Sequence, residues 1–210
     1  MIKESQIAWP ETRPNLPVDL GPPWWIESHN RMLESIKLEL PKPRAILEIG
    51  SAWGHSITKM AKVFPDSFLI CIDMWDTSPF FELEAARSLG LSNEELQIVK
   101  DGRLFEQFLA NVWDLKERLM VVKGKSGVGI PHIGTLHKYA RIPDVDLVYV
   151  DGSHEEPDVI VDCALSLYHF PNAVIFGDDY QMPGVRDALD VIYGLTGKAG
   201  KSTNGRVWRF

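Results

Sequence analysis

The chain has 210 residues, 45% hydrophobic and 24% charged, with a formal net charge of -7 and a pI near 5.4. That length suits one substantial core without room for a second domain, and the acidic balance, lacking any basic stripe, argues against a nucleic-acid substrate. No apolar run reaches the roughly 18 residues of a membrane span, and the polar start from Met1 to Glu11 predicts no secretory signal.

Residues 1–23 carry Pro10, Pro14, Pro17, Pro22 and Pro23, which favours an extended arm ahead of a domain over 24–210. Trp9, Trp24 and Trp25 flank or end that arm and fit docking on the domain itself, on a neighbouring copy in a homo-oligomer, or along a substrate cleft. Trp24 to Leu40 then reads as a helix stopped by Pro41 and Pro43. The apolar run at Ile46 to Ile49 leads through a glycine turn, Gly50 to Gly54, into a helix with Ile57, Met60, Ala61 and Phe64 on one face. A second strand, Phe68 to Ile72, ends at Asp73.

Between Trp75 and Leu119 the chain is longer than a crossover needs. It holds a short helix at Phe80 to Leu89, a capping box at Ser92-x-x-Glu95, and a helix over Leu104 to Leu119 with Phe105, Phe108, Leu109 and Val112 on one face. This insertion reads as a lid or as plain packing. A further helix is expected over Pro131 to Ala140. Val145 to Val150 and Ala173 to Gly177 are short, β-branched and largely continuous, as buried parallel strands are. A helix from Pro157 to Phe170 separates them, with Ile160, Cys163, Ala164 and Leu167 at helical spacing. Pro183 to Leu195 forms the last helix, and Asn204-Gly205 signals a hairpin between two short terminal strands. The sum is an α/β chain, a single doubly wound and mostly parallel sheet with an antiparallel C-terminal hairpin. Cys71 in a strand and Cys163 on an apolar helix face predict buried free thiols and a cytoplasmic setting.

Two constellations fall at strand C-termini, where ligands of such sheets bind. The first joins Asp151-Gly152-Ser153-His154 to Asp178-Asp179-Tyr180. Close carboxylates do not all stay ionised without a cation, and an oxygen set suits Mg²⁺ or a similar hard metal. A solvated loop or helix cap is the alternative for the Asp pair, and a packed helix-start residue for His154. The second is Glu48-x-Gly50-x-x-x-Gly54 with Asp73 some 25 residues on, placed to bond ribose hydroxyls or simply to cap a loop. The spacing is neither that of dinucleotide binders nor of a phosphate loop. No other histidine pairs with His or Cys at zinc spacing, and Ser153 lacks a nucleophile elbow.

Glu48-x-Gly50-x-x-x-Gly54, Asp73-Met74-Trp75, Gly124-x-Ser126, Asp151-Gly-Ser-His154 and Asp178-Asp179-Tyr180 together resemble class I S-adenosylmethionine-dependent methyltransferases. They are most similar to the metal-dependent group of macrocin-type sugar O-methyltransferases, with cephalosporin hydroxylase-like proteins nearby. The resemblance implies a seven-stranded Rossmann-like sheet and transfer of a methyl group to a hydroxyl of a small molecule or sugar. It also implies that Glu48, Gly50, Ser51 and Gly54 line the methionine part of S-adenosylmethionine. Asp73 would hold its ribose, and Trp75 with Gly124 to Ser126 would flank its adenine. It assigns Asp151, Asp178 and Asp179 to a metal such as Mg²⁺ and His154 to the general base. One departure is Asp178, where macrocin-type members commonly carry Glu. A non-methylating relative, hydroxylase-like or binding, and an NAD-dependent oxidoreductase are the alternatives.

Overall fold

The computed structural model describes residues 7–19, 21, 27–76, 90–202 and 205–210. Five short apolar runs form parallel strands: β1 (Ala45–Ile49), β2 (Phe68–Asp73), β3 (Leu119–Lys123), β4 (Val145–Val150) and β5 (Val174–Gly177). The C-terminal pair, β6 (Lys201–Ser202) and β7 (Trp208–Arg209), is antiparallel, and β7 pairs with β5 in the same sense. The seven strands lie in the order β3-β2-β1-β4-β5-β7-β6. Chain order reverses between β1 and β4, so a crevice opens above their C-terminal ends.

Helices cover both faces. On one side α1 (Glu27–Glu39), α2 (His55–Val63), α3 (Asn93–Lys100) and α4 (Leu104–Asn111) meet Ile46, Leu69, Cys71, Leu147, Tyr149 and Phe176. On the other, α5 (Ser126–Lys138), α6 (Glu156–His169) and α7 (Pro183–Thr196) meet Leu47, Ile70, Val122, Val148 and Ile175. Burial on both sides is why the strands read as continuous hydrophobic runs. It also makes strand parity decide which face each polar residue takes.

Several elements differ from their expected bounds. The helix expected over Leu104 to Leu119 stops at Asn111, a 3-10 turn follows over Trp113–Arg118, and Leu119 already belongs to β3. Arg118 anchors that turn by donating to the carbonyls of Ala61 and Ser67 at 3.0 and 2.7 Å. Helix α5 begins five residues before Pro131, which sits inside it, because Ser126 follows directly on the strand-ending Gly124 turn. The capping box forms as expected, with Ser92 accepting from Glu95 N. The expected helix at Phe80 to Leu89 lies outside the described residues, as do Trp24 and Trp25 and Asn204 of the hairpin.

Within the arm, residues 7–19 contain no helix or strand. They dock on the domain. Ile7 N donates to Val121 O of the edge strand at 3.1 Å, and the Trp9 and Trp113 rings meet edge to face at 5.9 Å. Arg13 donates to Ala110 O, while Gln107 reaches Pro17 O and Asn111 joins Asp19 N to Trp53 O. Thus the described part of the arm meets the open β3 edge at Ile7, a position otherwise exposed to strand pairing, and then lies against α4 as far as Asp19 beside the glycine turn. Cys71 and Cys163 are buried free thiols. Among the described residues no helix is long and apolar enough to cross a membrane.

Candidate active site

Register aligns the polar residues. Glu48 lies opposite Cys71 on one side and Tyr149 on the other, and Tyr149 lies opposite Phe176. Two residues further along, on the same face, come Asp73, Asp151 and Asp178, since side chains at i and i+2 share a face. One crevice therefore receives carboxylates from β1, β2, β4 and β5.

Glu48 is fully buried. It accepts from the Ser56 hydroxyl and, more weakly, from the Cys71 thiol at 3.6 Å. Burial pushes its carboxyl up to about 7, while Ser51, Ser56 and Cys71 pull the other way. The turn above is tight: a Cβ on Gly50, φ +89°, would stand 2.1 Å from the Asp151 carbonyl oxygen. Only glycine fits where the β1 and β4 ends come that close. Asp73 holds the turn from the β2 side, accepting from Ala52 N at 2.9 Å and Trp75 N at 2.5 Å. Both donors sit at positive φ, 39° and 47°, a conformation that side chains disfavour and that Asp73 helps to hold. Burial raises the Asp73 carboxyl above its ordinary value against these amide bonds.

Trp75 takes a different place from the adenine wall expected of it. Its indole is 5% exposed, donates to Ala52 O at 2.9 Å and packs on Phe105 and Phe108 at 4.8 and 4.5 Å. The apolar surface at this turn belongs instead to Met74, 43% exposed. Gly124 N donates to Asp73 O at 2.8 Å, which brings the turn leading to Ser126 beside Asp73. Gly54 caps α2 at φ 81°, and Ser51 is buried beneath the turn.

At the other end of the crevice His154 and Asp179 pair directly, Nε2 to Oδ2 at 2.8 Å. The Asp179 bond holds the His154 imidazole above its ordinary value, against partial burial. Asp179 sits at φ 57°, a left-handed position that Asp tolerates better than most residues, and its Oδ1 accepts from Gln181. Asp151 accepts from the Tyr149 phenol at 3.0 Å. Its carboxyl is pushed well up by burial and by the neighbouring Asp178 and Asp179 charges. Asp178 is gripped by Arg206, with Nε at 2.9 and 3.0 Å from its two oxygens and Nη2 at 2.9 Å.

A family of methyltransferase domains matches residues 47–180, from the first strand to the tyrosine after the aspartate pair. The chain belongs to this methyltransferase family. No curated protein matches it in sequence. Among solved structures it is similar to CalS11, a calicheamicin methyltransferase, with a TM-score of 0.54 at 13% identity over 90% of this chain and 82% of that one. It is similar too to a putative caffeoyl-CoA O-methyltransferase from Staphylococcus aureus, TM-score 0.52 at 14% identity over 86% of this chain and 82% of the other. An O-methyltransferase from Bacillus cereus in complex with SAH gives 0.52 at 15% over 93% and 85%. At these identities the likeness is one of fold, the Rossmann-like methyltransferase sheet.

Among the described residues of this methyltransferase, one group could hold a divalent cation, and it joins His154 to two of the three expected carboxylates. Asp151, His154 and Asp179 each offer one ligand atom, all within 4.8 Å of one another. Asp178 does not join them in this arrangement, because its carboxylate oxygens face the Arg206 guanidinium and its side chain is 1% exposed.

Sequence reading passed over four residues. Tyr149 is set by the same parity as Asp151, a signal available from the strand alternation. Met74 stood next to an assigned Trp. Asp162 shares the buried face of α6 with Val159, Cys163 and Ser166, which marks it as unusual. Its carboxyl bonds Ser126, lies 3.5 Å from a Cβ position on Gly152, and is pushed by burial up to about 6. Arg206 gave no signal, since the contact spans 28 residues across the hairpin.

Proposed function

We propose that this methyltransferase transfers a methyl group from S-adenosylmethionine to a hydroxyl of a small molecule or sugar. The observation that carries the reading is the His154–Asp179 pair, 2.8 Å apart, at one end of the crevice whose other end holds Glu48, Gly50 and Asp73. A base and a cofactor turn thus share one sheet edge.

S-adenosylmethionine supplies an electrophilic methyl group on a sulfonium. Glu48 beneath the turn offers negative charge to the cationic methionine end, and Asp73 offers acceptor lone pairs to the ribose. Met74, exposed beside Asp73, offers an apolar surface for the adenine ring. Methyl transfer needs little covalent help, so most of the acceleration rests on holding the two reactants in line. An alcohol is a poor nucleophile at neutral pH. His154 removes its proton at Nδ1, the ring nitrogen opposite the Nε2 that donates to Asp179, and Asp179 orients the ring and stabilises the imidazolium. Where a divalent cation is bound instead, Asp151, Asp179 and His154 would hold it, its Lewis acidity toward the acceptor oxygen would make the hydroxyl easier to deprotonate, and His154 as a ligand would no longer serve as the base. Magnesium prefers an all-oxygen shell, and a nitrogen ligand widens the choice to manganese-like ions. The net charge of -7 favours a small neutral or cationic acceptor over a polyanion.

Calorimetric titration with S-adenosylmethionine, with and without Mg²⁺ and with NAD⁺ as control, tests the reading. Micromolar binding of the sulfonium cofactor, lost in Asp73→Ala, is expected; silence toward it, or preference for NAD⁺, refutes it. Turnover on diol and sugar acceptors, lost in His154→Ala with cofactor affinity kept, is the second expectation.

A further inference from the structure

The carboxylate group already contains a cation. Arg206 Nη2 stands 2.9 Å from Asp178 Oδ2 and 3.9 Å from Asp179 Oδ1, so one guanidinium serves both members of the pair. The grip is rigid on both sides. Arg206 O accepts from Tyr180 N at 2.7 Å, and two residues on the Trp208 indole donates to Asp178 O at 2.9 Å. Register places Trp208 opposite Gly177, which precedes the aspartate pair. The hairpin and the β5 end are therefore laced together around Asp178.

A bidentate guanidinium uses the lone pairs through which a carboxylate ligates metal, and it adds positive charge beside the incoming ion. It also satisfies a buried carboxylate that would otherwise be costly to ionise. We propose that Arg206 sets the metal affinity of this site by competing with a divalent cation for Asp178. The resting site then offers Asp151, His154 and Asp179, and Asp178 becomes a ligand only when Arg206 is withdrawn. This rests on the metal-assisted reading above. Arg206 acts through Asp178 and is a positioning residue.

Binding of Mn²⁺ to the full chain, read from the electron paramagnetic resonance signal of the free ion, tests this. Arg206→Gln is expected to bind Mn²⁺ tighter than wild type by on the order of 10- to 100-fold, the scale on which groups behind metal ligands act. Arg206→Gln combined with Asp178→Asn is expected to fall back to about the wild-type affinity or below it. If Arg206→Gln is unfolded alone, the same titration is followed by circular dichroism. Mn²⁺ must then restore its fold and must fail to do so through any site in which Asp178 is Asn. Unchanged or weaker Mn²⁺ binding in folded Arg206→Gln, or a double variant as tight as the single one, overturns the proposal. Wild type that binds Mn²⁺ without a gain in Arg206→Gln sinks this inference alone. No Mn²⁺ binding in any form, with S-adenosylhomocysteine still bound, sinks the metal reading as well and leaves the methyltransferase pocket standing.

Discussion

The Asp73 carboxylate accepts the Ala52 amide at 2.9 Å, so the end of β2 fastens the turn that follows β1. The residue proposed to bind ribose is thereby also a part of the turn's own structure. Asp73→Ala removes the acceptor of Ala52 N and Trp75 N and should cost about 1–3 kcal/mol of stability as well as cofactor affinity. Asp73→Asn keeps one oxygen acceptor and should recover much of the stability while still binding S-adenosylhomocysteine poorly. Urea melts beside calorimetry separate the two effects. If both variants are as stable as wild type, the turn does not depend on Asp73.

Glu48 predicts a pH dependence of definite sign. Its carboxyl is pushed from an ordinary 4.5 up to about 7 by burial. The native state then holds a proton that the unfolded chain has lost, so stability of the cofactor-free protein falls as pH rises from about 4.5 to 7 and levels off above. The loss attributable to this group is at most about 3 kcal/mol. A cationic cofactor favours the ionised form, so affinity for S-adenosylmethionine should rise over the same approach to neutrality, with proton release on binding. Glu48→Gln should be more stable than wild type at pH 8, bind the cofactor more weakly and release no proton. Calorimetry in buffers of different ionisation enthalpy measures that release.

These two residues also show how far sequence carried. Asp73 and Glu48 were visible because strand ends are marked by where apolar runs stop, and the runs themselves are local. Asp151, Asp178, Asp179 and His154 were visible for the same reason, and the crevice they share follows from parallel register. What a linear reading missed depends on the third dimension. Trp75 turns inward because a positive φ sends its ring to Phe105 and Phe108, which arrive from a helix thirty residues on. Arg206 meets Asp178 only because β7 folds back on β5, and no local pattern encodes that pairing. The break at Asn111 comes with no helix breaker, and the turn after it is fastened by Arg118 reaching the carbonyls of Ala61 and Ser67, contacts that no local pattern announces.

The His154–Asp179 pair should shape the pH-rate profile. Hydrogen bonding to Asp179 raises the imidazole, so the neutral, base-competent form gains population only as pH climbs past that raised value. Activity should therefore rise with pH on the acid side. Asp179→Asn should move that limb to lower pH while lowering kcat, because the ring loses its orienting anion. His154→Ala should cost about 10²- to 10⁴-fold in kcat, the usual scale for a general base. An acid limb that stays in place in Asp179→Asn would assign the titration to another group.

Gly184 offers a steric test of how His154 is placed. A Cβ there would stand 2.4 Å from the His154 carbonyl oxygen and 3.1 Å from Glu156 N, both backbone atoms that cannot swing aside. The first turn of α7 therefore supports the His154 loop from beneath. Gly194, near the other end of the same helix, has nothing within 4 Å of its Cβ position. Gly194→Ala should stabilise by about 0.5–1 kcal/mol through helix propensity alone and leave turnover untouched. Gly184→Ala gains the same propensity but must displace the loop, so it should destabilise by about 1–3 kcal/mol net and cut kcat, with cofactor affinity nearly kept because Glu48 and Asp73 lie at the far end of the crevice. Thermal melts and single-turnover rates on the two variants decide it. Equal turnover in both would mean that the loop carrying His154 tolerates displacement and is not held in register by α7.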